Sequence, residues 1–254
     1  MNGREGQKAL TWAQQWRLFI QFCRHPHLNP RVRQISTGAG WYRDWVAGPI
    51  WMDALKWATT LWIINLFVIG PLVLMVAAKS GATHAINPKA LPWFLAIFWA
   101  PFFEEMLFRY GLRRPATVIW LLPLLVLGIW QGAGWVQVML FVMALFLVFR
   151  TAKQTVMPSP RARRWLRMYR AQFWWIFHLA TLLFAAVHLS NFTFSSVQWW
   201  MLPALVLPQW VTGLVLGWFR VMKGIGPAIL LHSLFNAGPM VLVWWMMRSM
   251  PDLS

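Results

Sequence analysis

Two carboxylates stand side by side in apolar sequence, at Pro101-Phe102-Phe103-Glu104-Glu105-Met106-Leu107-Phe108-Arg109. An ionisable group deep in a membrane helix costs roughly 3 kcal/mol on insertion scales, so such residues are functional suspects by default. Neighbouring carboxylates repel each other, and a carboxyl group poised between its protonation states can accept and return a proton. On a helix the two point about 100° apart. Glu105 and Arg109 stand at i,i+4 with the acid first, the favourable order for an ion pair. Arg109 is therefore expected to hold Glu105 and to leave Glu104 for chemistry. An ion pair at the membrane edge is the plainer alternative. Pro101 lacks an N–H and disturbs the turn before it, either as a packing kink or by opening room beside Glu104.

Three of the six histidines lie in apolar segments: His178, His188 and His232. A lone intramembrane histidine more often makes a helix–helix hydrogen bond than a site, and His178, without polar company, is read that way. His188 closes Phe184-Ala185-Ala186-Val187-His188. His232 and Asn236 fall one turn apart in His232-Ser233-Leu234-Phe235-Asn236. A carboxylate, two imidazoles and an amide from separate helices are the parts needed to activate water and stabilise an oxyanion. The same groups could form a proton relay in a transporter, or survive in a membrane scaffold without activity.

The ordered set Glu104-Glu105-x-x-x-Arg109, Phe184-x-x-x-His188 and His232-x-x-x-Asn236 resembles the three motifs of the CAAX protease and bacteriocin-processing family. These are intramembrane endopeptidases similar to the type II CAAX prenyl endopeptidase. The resemblance covers roughly residues 91–238. It implies that Glu104 with His188 activates the attacking water, and that His232 and Asn236 polarise the scissile carbonyl and bind the oxyanion. Glu105 and Arg109 would support them. It favours glutamate catalysis without a cofactor. The alternative is zinc on Glu104, His188 and His232, since two histidines and a carboxylate can fill a catalytic zinc site. The implied substrate is a membrane-associated protein or peptide.

The elements that must position these residues follow from composition. Of 254 residues 59 % are hydrophobic and 11 % charged, against about 45–50 % and about 25 % in soluble domains. The 21 Trp and 18 Phe suit aromatic belts at two membrane interfaces. The fold class is all-α, a polytopic membrane protein with a polar cavity between helices. Spans of about 20 apolar residues are predicted over 54–78, 91–108, 171–189, 199–219 and 227–247. The stretch 116–149, broken by Gln131-Gly132-Ala133-Gly134, reads as a hairpin of two short spans, about seven in all. Residues 1–50 form a basic N-terminal segment, in which Leu10, Trp12, Trp16, Phe19, Ile20 and Cys23 trace a helical stripe. That helix either lies on the membrane surface or packs on the body. Residues 51–254 form the protease domain, with 116–170 as an insertion ending in a basic loop. Gly224-Ile225-Gly226-Pro227 reads as a turn into the last span.

With the N-terminus in the cytoplasm, nineteen of the 23 Lys and Arg fall on cytoplasmic segments, as the positive-inside rule requires. The net charge of +17 then faces anionic lipid headgroups and needs no nucleic acid. The compact chain suggests a bacterial cytoplasmic (inner) membrane. Upright ideal helices would leave Glu104 and His188 more than roughly 15 Å apart in depth, so the motif assignment requires a tilted span or one that starts late.

Overall fold

The computed structural model describes residues 10–28, 45, 51–84, 92–117, 123, 126–127, 135–152, 160–194 and 198–249. The break proposed at 131–134 and the basic residues Arg4, Lys8, Arg31, Arg33, Arg43, Lys89 and Lys153 lie outside them. Among the described residues the chain is helical apart from one two-residue strand pair. Helix α1 (Trp12–Arg24) is followed by α2 (Trp51–Ser80), which is wound as a π-helix over Ile64–Ile69. Strand β1 (Thr83–His84) comes next, then a π turn (Leu95–Trp99) leading into α3 (Ala100–Phe108). Helices α4 (Trp135–Ala152), α5 (Pro160–Ala171) and α6 (Phe173–Val187) follow. A 3-10 turn (His188–Asn191) and β2 (Phe192–Thr193) lead to α7 (Leu202–Leu205), α8 (Leu207–Met222) and α9 (Ile225–Ser249). Strands β1 and β2 pair antiparallel, Thr83 with Thr193 and His84 with Phe192.

Among the described residues three helices are long and apolar enough to cross a membrane: Trp51–Ser80, Phe173–Asn191 and Ile225–Ser249. Their ends lie within three residues of the spans expected at 54–78, 171–189 and 227–247. The span expected over 199–219 is bent by 48° between Trp199–Leu205 and Leu207–Met222, and makes a fourth if the pair is taken together. Pro203 and Pro208 flank that break, each lacking the N–H that would continue the ladder. Phe67 and Leu74 are about three-quarters exposed, which suits a lipid-facing side of α2. The chain is an integral membrane protein.

Both π turns precede a proline, and the reason is steric. A proline ring clashes with the carbonyl four residues back, and widening the turn moves that carbonyl away. Gly70, before Pro71, donates its N–H to Asn65 O. Ala100, before Pro101, donates to Leu95 O. At Pro101 the kink is therefore a π-to-α junction one turn before Glu104.

Helix α1 packs on the body. Thr11 and Gln14 form a capping box at its start, and Trp12, Trp16, Phe19 and Phe22 pack on Trp57, Phe177 and Trp218. Gln15 is the polar pin: its Nε2 donates to Asp53 Oδ1 at 3.0 Å, and its Oε1 accepts from Trp57 Nε1 at 3.1 Å. Lys223 closes the network with an ion pair to Asp53. At the other end His178 Nε2 lies 3.0 Å from Cys23 O, and Trp174 Nε1 donates to Arg24 O at 3.1 Å. His178 is thus a helix–helix contact, as the sequence suggested.

Glycines set how closely the central helices approach. Gly213 and Gly217 on α8 face α6. An added Cβ would lie 3.1 Å from Phe184 at the first and 2.6 Å from Phe177 at the second. Small residues four apart allow this close packing between membrane helices. Gly224 (φ 124°) makes the turn into α9, and a Cβ on Gly226 would meet the Trp45 carbonyl at 1.8 Å.

Candidate active site

Glu104 and Glu105 sit on the last two turns of α3, and their side chains face different surroundings. Glu105 is sealed at 0 % exposure and Arg109 at 2 %, whereas Glu104 keeps 26 %. Arg109 pairs with Glu105 and lays its guanidinium 3.9 Å over the Phe184 ring. The expected division between the two acids is present as geometry. A buried ion pair needs good additional contacts to repay desolvation, and here His232 and Phe184 supply them.

The two imidazoles converge on Glu104. Its Oε2 lies 3.8 Å from His188 Nε2 and 3.7 Å from His232 Nε2. The second nitrogen of each ring is already engaged. His188 Nδ1 sits 2.7 Å from Phe184 O, which only accepts, so this nitrogen carries the hydrogen. His232 Nδ1 sits 2.9 Å from Glu105 Oε1 and donates to it. Both Nε2 atoms are thereby aimed at the Glu104 carboxylate, whose Oε2 is buried without a hydrogen-bond partner. Oriented imidazoles with their far nitrogens tied to acceptors are characteristic of reactive centres, metal-bound or not. Among the described residues no group of three or more His, Cys, Asp or Glu has the geometry to hold a metal ion.

The separation expected of upright helices is absent, since His188 Nε2 lies 3.8 Å from Glu104 Oε2 although its span, Phe173–Asn191, begins only two residues after 171. Helix α6 then reaches His188 only at its far end, where the helix tightens into the 3-10 turn. Phe184, one turn earlier, packs edge-on to His188 (4.6 Å between ring centroids) and His232 (5.8 Å) as well as beneath Arg109.

Asn236 is placed differently from the other candidates. Its Nδ2 donates to Ala96 O at 2.8 Å. In the π turn the N–H of residue 101 would have bonded this carbonyl, five residues back, but Pro101 has none. Asn236 thus supplies the donor that proline removes and ties α9 to the helix carrying Glu104. Trp62 does the same for α9 itself. Pro239 leaves Phe235 O without its helical partner, and Trp62 Nε1 donates to it at 2.9 Å.

Sequence reasoning missed Arg220, which it counted among lipid-facing cytoplasmic charges. It is fully buried, and its Nε and Nη2 donate to Arg109 O and Tyr110 O, each at 3.0 Å. It therefore satisfies the carbonyls at the end of α3 and holds the helix that presents Glu104. The available signal was an arginine as the single charged residue of α8, just over three helical turns after Pro208.

A helical membrane protein with a buried glutamate and histidine cluster at the meeting of three helices is the class these features define. The chain belongs to the family described as type II CAAX prenyl endopeptidase Rce1-like, whose model matches residues 85–238. This is a protease family, and Glu104, Glu105, Arg109, His188, His232 and Asn236 all fall inside the match. No curated protein and no solved structure matches the chain.

Proposed function

We propose that the protein is an intramembrane endopeptidase in which Glu104 is the general base. The observation that carries this reading is the unpartnered Glu104 Oε2 between two oriented Nε2 atoms. Water held by Glu104 and His188 gives one proton to the Glu104 carboxylate as its oxygen attacks the scissile carbonyl carbon. The carbonyl oxygen becomes the oxyanion. His232, carrying hydrogen on both nitrogens, donates from Nε2 to that oxyanion while Glu105 accepts at Nδ1. Asn236 contributes the Nδ2 hydrogen not given to Ala96. Protonated Glu104 then returns its proton to the leaving amine, the C–N bond breaks, and the base is regenerated.

The substrate is a membrane-associated protein or peptide, and a prenylated peptide ending in a CAAX sequence is the first to test, after the family's description. The chain crosses the bacterial cytoplasmic membrane about seven times with its N-terminus in the cytoplasm. The count of basic residues supports that orientation.

Cleavage by wild type and Glu104→Gln in proteoliposomes, read by mass spectrometry of new peptide termini, tests the mechanism. The variant should lose at least about a hundredfold in rate while keeping its thermal unfolding midpoint. Near-normal turnover in Glu104→Gln sinks glutamate catalysis. A parallel reaction with a chelator should keep full activity; loss restored by added zinc would move Glu104, His188 and His232 to the role of metal ligands.

A further inference from the structure

Helix α5 (Pro160–Ala171) carries Arg161, Arg163, Arg164, Arg167 and Arg170 and no acidic residue. Of the six carboxylates in the chain, the three among the described residues are committed elsewhere. Asp53 is held by Lys223 and Gln15, Glu105 by Arg109 and His232, and Glu104 faces the two histidines. Among the described residues none of these carboxylates pairs with the exposed α5 guanidinium groups, which are open to an added anion.

The arginines are also arranged around a space. Arg163, Arg167 and Arg170, all exposed, line an open surface groove of about 590 Å³ together with Pro160 and Leu166. The spacing 163, 167, 170 puts all three on one stripe of the helix. The lining thus offers forked donors beside aliphatic surface, the combination that suits a phosphate attached to an uncharged organic body. The helix is fixed in place by Tyr169, whose hydroxyl donates to the carbonyls of Gly111 and Leu112 at 3.3 Å. Its position in the chain indicates the source of the phosphate. Arg170 lies one turn before the exposed Trp174 and Trp175 that open the span Phe173–Asn191. Tryptophans of this kind sit at the headgroup level of a bilayer, so Arg170 and Arg167 stand beside the phosphate plane.

We propose that Arg163, Arg167 and Arg170 form a binding site for the phosphate of an anionic membrane lipid. The site does not depend on the protease reading, because its test is binding and needs no cleavage. The full-length protein in neutral detergent would be titrated with phosphatidylglycerol, phosphatidylcholine or inorganic phosphate, and retained lipid read by native mass spectrometry. Arg167→Gln/Arg170→Gln is compared with Arg161→Gln/Arg164→Gln, which removes the same charge from the same helix outside the groove lining. Phosphatidylglycerol should be retained by wild type and by the Arg161/Arg164 variant. The Arg167/Arg170 variant should bind it on the order of tenfold more weakly, with an unchanged thermal midpoint in lipid-free detergent. Equal loss in both variants would show only diffuse attraction to charge and overturn the site. Binding of inorganic phosphate as tight as that of the lipid would make it a soluble-anion site. Retention of phosphatidylcholine equal to that of phosphatidylglycerol would remove the charge argument altogether.

Discussion

Arg109 bears on the site through its neighbours. It neutralises a fully buried Glu105, which in turn fixes the His232 ring. Arg109→Leu strands the carboxylate, and breaking a buried pair from one side typically costs about 3–5 kcal/mol. The variant should unfold at clearly lower denaturant, and Arg109→Lys should rescue it only partly, because an ammonium cannot pair with Glu105 and also stack flat on Phe184. Chemical denaturation in detergent micelles reads both. Cys23 offers a contrasting case. Burial where the end of α1 packs on the body pushes its thiol up to about 12, so at pH 8 almost none of it is thiolate, the reactive form. A maleimide should modify the native protein at least about a hundredfold more slowly than the unfolded chain. Comparable rates would mean that α1 is not docked.

Proline and its replacement donor form the recurring unit among the elements. Pro239 and Pro101 each delete an N–H inside a helix, and Trp62 and Asn236 each bring one back from a neighbouring helix. The local defect becomes a tertiary tie, since an unsatisfied buried carbonyl costs about 1–3 kcal/mol. A double-mutant cycle isolates this. Trp62→Phe should destabilise by roughly 1–3 kcal/mol, and by distinctly less in a Pro239→Ala background, where the helix supplies its own N–H to Phe235 O. Additive effects would refute the pairing. The glycine pair on α8 makes the complementary point. Gly217→Leu forces Phe177 off α8, and overpacking of this kind typically costs about 1–3 kcal/mol. It should lower the thermal midpoint and slow cleavage together, because α6 also carries His188.

Across the whole molecule, α1 is a clamp. It covers Trp57, Phe177 and Trp218, and its Gln15 shares Asp53 with Lys223. Lys223 follows α8, so the clamp joins the N-terminal helix to the starts of α2 and α6 and the end of α8. Deleting residues 1–24 should reduce stability by several kcal/mol, since each large aromatic uncovered costs about 1.5–3 kcal/mol. The loss would be seen as a lower thermal midpoint in detergent. An unchanged midpoint would mean that α1 contributes no net stability.

Much of this protein could be read from its residues alone. The apolar spans at 54–78, 171–189 and 227–247 follow from mean composition over about 20 residues, and the Glu105–Arg109 pair from helical spacing within one turn. Both are local properties, and a helix in lipid has few alternatives to satisfying its own backbone. The motif order likewise pointed to the protease family that the match over 85–238 bears out. Tertiary structure decided what depends on where one helix stops relative to another. The packing of the helices brings His188 within 3.8 Å of Glu104 across 84 residues of sequence. The fold also turned Arg220 inward, docked α1 on the body, and assigned Asn236 to the Ala96 carbonyl. Each of these is a long-range choice made by an unsatisfied backbone group or an uncovered aromatic surface. No local pattern specifies which distant residue will answer it.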